Sequence, residues 1–178
     1  MKIGLFYGST TCYTEIAAEK IQAEMGNDET GTPLVELYNI KDASLSLIAD
    51  YDLVMLGIST WDYGELQEDW ESQWQDLATI SFADKIVALY GMGDQIGYTE
   101  WFQDALGMLH TCVVEQGGHV IGYWPNQGYE FAASKALTQD GSQFVGLALD
   151  EDNQYDQSDA RISQWCQQVL EEIADILA

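Results

Sequence analysis

Four aliphatic hydroxyls, Ser9, Thr10, Thr11 and Thr14, fall within six positions, with Cys12 and Tyr13 between them and no lysine or arginine among them. An apolar stretch, Ile3-Gly4-Leu5-Phe6, precedes the run and a segment of helical patterning follows it. A strand that turns through hydroxyl residues into a helix N-terminus is a phosphate site. Backbone N–H groups and the positive end of the helix dipole face the ligand, and the hydroxyls add donors without charge. A cation-free cradle suits a permanently bound phosphorylated cofactor better than a nucleotide awaiting hydrolysis.

Two further loops carry unusual chemistry. The first is Ser59-Thr60-Trp61-Asp62-Tyr63-Gly64-Glu65, and the second is Gly91-Met92-Gly93-Asp94-Gln95-Ile96-Gly97-Tyr98. Trp61 and Tyr98 sit in loops, where a large ring is not automatically core. Two such rings on adjacent loops can sandwich a flat ligand, although each taken alone can equally cap the core. Gly64, Gly91 and Gly93 allow backbone to approach a ligand closely. Asp94 is placed to accept from ring N–H groups. Gln103 and Asp104, early in a later helix, can do the same or be solvated.

Other phosphate chemistries fail on residues. A Walker loop needs Gly-Lys before its hydroxyl residue, and none follows Gly8. A cysteine phosphatase built on Cys12 would need arginine where Ala18 stands. A dinucleotide fingerprint needs two more glycines after Gly8. A phospho-accepting receiver would need acids where Gly8-Ser9 and Ser59-Thr60 occur.

The elements that must position these loops alternate. Strands are predicted at 2–7, 34–37, 53–58, 86–90 and near 119–124. Helices carry Ala17, Ala18, Ile21 and Met25; Leu66, Trp70, Trp74 and Leu77; Phe102, Ala105, Leu106, Leu109 and Val113; and Ile162, Trp165, Cys166, Val169, Ile173 and Leu177, the last helix capped by Ser158. A weak helix is expected at 43–48. Compact apolar strands alternating with amphipathic helices predict a doubly wound α/β fold, a five-stranded parallel sheet covered on both faces. Residues 125–143 are polar, and an apolar run resumes at Phe144-Val145-Gly146-Leu147-Ala148-Leu149. This reads as a fifth strand interrupted by a long insertion. Residues 1–178 are expected to form a single domain.

Thirty acids against six bases give a net charge of −24. That excludes nucleic acid as a partner and disfavours anionic membranes, and it favours a basic protein partner. It also fits a charge that serves solubility alone. Three scattered cysteines and two isolated histidines make no metal pattern. No signal-peptide pattern and no membrane-length apolar run are present. The expectation is a cytoplasmic monomer that binds neither nucleic acid nor membrane.

The chain resembles the long-chain flavodoxins over essentially its whole length. The resemblance rests on Leu5-Phe6-Tyr7-Gly8-Ser9, Thr60-Trp61-Asp62-Tyr63-Gly64-Glu65, Gly93-Asp94-Gln95-Ile96-Gly97-Tyr98, Gly122-Tyr123-Trp124 and the segment Phe144 to Asn153. It implies a flavodoxin-like sheet of strand order 2-1-3-4-5, one bound FMN, and a low-potential carrier of single electrons rather than an enzyme. The implied partners are a basic NAD(P)H-dependent flavodoxin reductase and low-potential acceptor enzymes. By this resemblance Ser9, Thr10, Thr11, Cys12, Tyr13 and Thr14 hold the phosphate, while Trp61 and Tyr98 flank the ring. Thr60, Gly64, Gly93 and Asp94 line it, Asp62, Tyr63, Gly91 and Met92 belong to the same two loops, and Gln103, Asp104 and Asp152 match positions near the cofactor. Where the family loop usually has glycine, this chain has Cys12, which is strained if the backbone there requires positive φ. The rival readings are a flavin enzyme that takes hydride from NAD(P)H itself and an FMN-free interaction module.

Overall fold

The computed structural model describes residues 1–178. Strand β1 (Ile3–Tyr7) is buried at every position and leads into α1 (Tyr13–Met25). Then come β2 (Val35–Asn39), a short 3-10 helix (Leu45–Asp50), β3 (Leu53–Trp61), β4 (Glu65–Leu66) and α2 (Glu68–Leu77). The chain continues through β5 (Ile86–Met92), α3 (Asp104–Glu115), β6 (His119–Ile121), β7 (Trp124–Pro125), β8 (Gln143–Phe144), β9 (Leu147–Leu149) and α4 (Glu151–Leu177).

The main sheet runs β2-β1-β3-β5-β6, with β9 also paired to β5. Both β6 and β9 lie parallel to β5: Ile86 to Ala88 pair with β6, and Tyr90 to Met92 pair with β9. They are two halves of one fifth strand, split by the insertion. The predicted order 2-1-3-4-5 and the interruption are therefore both observed. The inserted segment forms its own small antiparallel pair, β7 with β8.

Forty-four buried apolar residues form the core. β1, β3 and β5 supply near-continuous buried runs because helices cover both faces of a parallel sheet. Each large side chain withdrawn in this way, such as Phe6 on β1, contributes roughly 1.5–3 kcal/mol.

Several expectations need correction. The third strand does not end at Ile58; it runs to Trp61 and turns back into β4, pairing Trp61 with Glu65 and Thr60 with Leu66. Leu66 thus belongs to a hairpin and not to the helix face that carries Trp70. Gln67 caps α2, its side chain accepting from Trp70 N at 3.3 Å. The segment at 43–48 is a 3-10 turn beginning at Leu45. Ser158 does not cap the last helix. That helix starts after Asp150, whose carboxylate accepts from Asn153 N at 3.0 Å. It is interrupted at Gln154 (φ −135°, ψ 35°), and Ser158 lies buried within it. The polar stretch 150–157 masked this first turn because it has no apolar face to register.

Candidate functional site

In an open parallel sheet, ligands bind beyond the carboxyl ends of the strands where the strand order reverses. Here that point lies between β1 and β3. The segments leaving β1, β3 and β5 meet α4 around one cleft of about 340 Å³, within the size range of small-molecule sites.

The first wall is the hydroxyl run. It is anchored where Gly8 N donates to Gly57 O at 3.3 Å and where the buried Tyr90 hydroxyl donates to Thr14 O at 2.8 Å. Gln67 Nε2 donates to Thr10 Oγ1 at 3.1 Å, tying the run to α2. Cys12 is the N-cap of α1 in a left-handed conformation (φ 69°, ψ −9°), and its side chain makes no capping bond. The conditional strain foreseen at this position is present. Ser9 Oγ is buried without a partner, so a donor is left over where an anion would enter. Thr11, Tyr13 and Thr14 line the cleft.

The β3–β4 hairpin forms the second wall. Trp61 stands on its strand, Nε1 donating to Ser59 Oγ at 2.9 Å, and lines the cleft with Ser59, Thr60 and Asp62. Thr60 Oγ1 accepts from Ala105 N at 3.0 Å, locking the hairpin to the start of α3. Asp62 (φ 44°) and Gly64 (φ 87°) turn the chain with positive φ. A glycine meets that requirement without strain at position 64, and an added Cβ there would stand 2.8 Å from Asp104 Oδ2.

Met92, Gly93, Asp94 and Tyr98 make the third wall. Asp94 Oδ1 accepts from Ile96 N, Gly97 N and Asn153 Nδ2 at 3.1, 2.7 and 2.8 Å, so this carboxylate organises its own turn. Asp152 and Glu151, at the start of α4, close the cleft. Burial raises the Asp152 pKa above the ordinary carboxylate value, aided by the charges of Asp94, Asp150 and Glu151.

The remaining candidates lie outside the lining. Ser9, Thr10 and Cys12 belong to the hydroxyl run without lining the cleft, Thr10 and Cys12 being exposed. Tyr63 is 71% exposed and packs edge-on against Trp101, with ring centroids 5.1 Å apart. Gly91 and Gln103 are buried together, Gln103 Nε2 donating to Gly91 O and Leu149 O at 3.2 and 3.1 Å. Asp104 is buried, accepts from Lys135 N at 2.8 Å, and has its pKa raised by burial.

The sequence reading missed one hub. Gln95 is buried and donates to Asp150 Oδ2 from both its backbone N (3.0 Å) and its Nε2 (2.7 Å), while its Oε1 accepts from Glu130 N of the insertion. This joins the Tyr98 loop, the start of α4 and the insertion. The Asp-x-x-Asn capping pattern at 150–153 was the available signal. Ser59 and Glu151 line the cleft without having been singled out; each adjoins a residue that was.

His110 plays a packing role, its Nε2 lying 3.1 Å from the Tyr123 hydroxyl and its pKa lowered by burial. No group of His, Cys, Asp and Glu side chains could hold a metal ion. No helix is long and apolar enough to cross a membrane.

The sheet order and a cleft built from three strand ends define the flavodoxin-like class of α/β proteins. The family model described as Flavodoxin matches residues 5–165, and the chain belongs to that family. It is 57% identical over 175 residues to the Flavodoxin 2 proteins of Salmonella typhi and Escherichia coli K12, covering 98% of this chain and 98% of theirs. It is 47% identical over 171 residues to a flavodoxin of Nostoc, covering 96% of both. Among solved structures, a Fusobacterium nucleatum flavodoxin bound to flavin mononucleotide superposes with a TM-score of 0.86 at 28% identity, covering 96% of this chain and 98% of that one.

Proposed function

We propose that this chain, acting as one flavodoxin-like domain over residues 1–178, is an FMN-dependent carrier of single electrons and not itself an enzyme. The observation that carries the reading is the meeting of a cation-free, hydroxyl-rich helix N-terminus with Trp61 and Tyr98 in one cleft at the sheet's switch point. The residues fit the group. The orphaned Ser9 hydroxyl and the α1 amides suit a phosphate. The two aromatic side chains suit a flat ring system, and family membership supports the same cofactor.

Bound FMN would supply one-electron transfer; the chain's own residues set its terms. Ser9, Thr10, Thr11 and Thr14 with the backbone of Cys12 and Tyr13 hold the phosphate. Trp61 and Tyr98 cover the ring faces and exclude water. Thr60, Asp62, Met92, Gly93 and Asp94 shape the ring's edge, while Gly64 and Gly91, outside the lining, let the two loops turn and pack behind it. Gln103, Asp104 and the hub around Gln95 hold those loops in place. The acids Asp62, Asp94, Glu151 and Asp152 surround the cleft, with no Lys or Arg among its lining residues. Added negative charge there is disfavoured, which makes the protein a strong reductant. A one-electron potential falls by about 59 mV for each ~1.4 kcal/mol of such penalty.

The partners proposed are a basic NAD(P)H-dependent reductase and low-potential acceptor enzymes, met in the cytoplasm by a monomer. The net charge of −24 supports electrostatic attraction to the first. Redox titration of the flavin-loaded protein tests the carrier reading. A second one-electron step well below that of free FMN is expected; a step at or above the free value contradicts it. Rapid flavin reduction by NADPH without a reductase would favour an enzyme instead.

A further inference from the structure

Arg161 is the single arginine of the chain and is only 8% exposed. It lies on α4 past the interruption at Gln154. Its guanidinium carbon sits 4.1 Å from the centre of the Tyr129 ring. Nη1 donates to Gln154 Oε1 at 2.8 Å, and Nη2 donates to Gln157 Oε1 at 2.9 Å. Both acceptors are neutral amides. In a chain with thirty acids, no carboxylate reaches this cation, and the protein's one ion pair is Lys20 with Asp159. Buried charges are ordinarily matched by a counter-charge, because leaving one unmatched is strongly unfavourable. A guanidinium has five N–H donors, and two are used.

The setting is a built one. Arg161 lines a groove of about 570 Å³ between α4 and the insertion, with Trp124 and Gln127 on one side and Gln157 and Gln164 on the other. Gln154 Nε2 donates to Gly128 O at 2.8 Å, so the amide that holds Nη1 is itself held by the insertion. Tyr129 is fixed in turn, its hydroxyl donating to Ala148 O at 2.6 Å and accepting from Trp124 Nε1 at 2.9 Å. The guanidinium plane is therefore set before any ligand arrives. Gln157 gives its oxygen to Arg161, which leaves its –NH₂ to donate. Asp156 is the one acid in the lining. The groove shares no residue with the cleft at the sheet's switch point.

We propose that this groove binds an oxyanion, the carboxylate or phosphate of a small polar molecule, with Arg161 as the charged donor and the Gln157 amide as the second. Planar oxyanion recognition is what a fixed guanidinium fork does best. Stacking on Tyr129 leaves the fork's edge as its binding surface. The surrounding field of acids repels anions in general, so binding requires this fixed donor set, and a modest affinity is expected.

The single arginine makes the test direct, because its Nε–H gives one signal in a proton–nitrogen correlation spectrum. The flavin-loaded protein is titrated with sodium phosphate, sodium succinate and, at matched ionic strength, sodium chloride. A saturating shift of that signal is expected, half complete at or below about 10 mM, with phosphate, succinate or both and not with chloride. Response to phosphate alone or succinate alone identifies the source of the oxyanion; response to both supports the shared chemistry. A linear response, or the same response to chloride, overturns the proposal and leaves Arg161 as a brace for the insertion. Gln157→Ala, at an exposed position outside the flavin cleft, is expected to weaken binding several-fold with the flavin spectrum unchanged. An unaltered half-saturation in that variant also counts against the site.

Discussion

A Cβ added to Gly8 would stand 2.1 Å from Gln67 Oε1 and 2.9 Å from Trp70 Cδ1, so Gln67 fills the space over the end of β1. The same carboxamide caps α2 and bonds Thr10. The hydroxyl run is thereby held between two elements far apart in sequence, and its shape depends on position 8 having no side chain.

Gly8→Ala should therefore push Gln67 off Thr10. Overpacking of this kind destabilises by about 1–3 kcal/mol, and the apoprotein's urea midpoint should fall accordingly. FMN affinity should drop at least about tenfold, equivalent to ~1.4 kcal/mol. A variant with wild-type midpoint and affinity would show that Gln67 moves aside freely.

Cys12 at φ 69° carries the strain of a left-handed non-glycine residue, on the order of 1–2 kcal/mol. Cys12→Gly relieves it while giving more freedom to the unfolded chain. The expected net result is a gain of about 0.5–1 kcal/mol in urea unfolding with FMN binding retained. A loss of stability would mean that the thiol makes a compensating contact.

The Asp152 carboxyl has its pKa raised from 3.8 by burial and then by neighbouring acids. Between the unfolded and folded pKa values the folded chain holds a proton that the unfolded chain has lost, so stability falls as pH rises through that window. Below it the group contributes nothing, and above it the penalty is constant. Asp152→Asn should stabilise the apoprotein relative to wild type by an amount that grows as pH rises from about 4 and then levels off. Added salt should shrink the part of the difference that comes from the charges of Asp94, Asp150 and Glu151. A difference independent of pH would remove Asp152 from the account.

Association with a basic reductase should weaken as ionic strength rises, chiefly through a slower on-rate. Stopped-flow mixing across a salt series measures this directly. A rate indifferent to salt would contradict charge-steered docking.

The fold was legible because β1, β3 and β5 are short apolar runs with no other use, and because the apolar run at 144–149 resumes after a polar interval. What escaped the sequence was the local geometry that polar side chains create. Residues 59–66 read as a loop and then a helix because Leu66 lies four residues before Trp70. Cross-strand pairing of Trp61 with Glu65 overrode that spacing. The start of α4 was hidden because Asp150, not an apolar stripe, defines it. Within the cleft, hydroxyls and aromatics were legible by type. The burial of Gln103 and Asp104 away from the lining was not, since a polar residue's partners across the fold leave no periodic trace. The φ of Cys12 could be posed as a question from the sequence and answered only by the backbone.

Fluorescence titration of the apoprotein with FMN tests the central claim, that a cation-free hydroxyl cradle and the two aromatic side chains Trp61 and Tyr98 of the same cleft hold this cofactor. The account expects stoichiometric quenching of flavin emission at one FMN per chain, lost in Trp61→Ala and Tyr98→Ala together. Emission that stays unquenched with wild-type apoprotein in excess would contradict it.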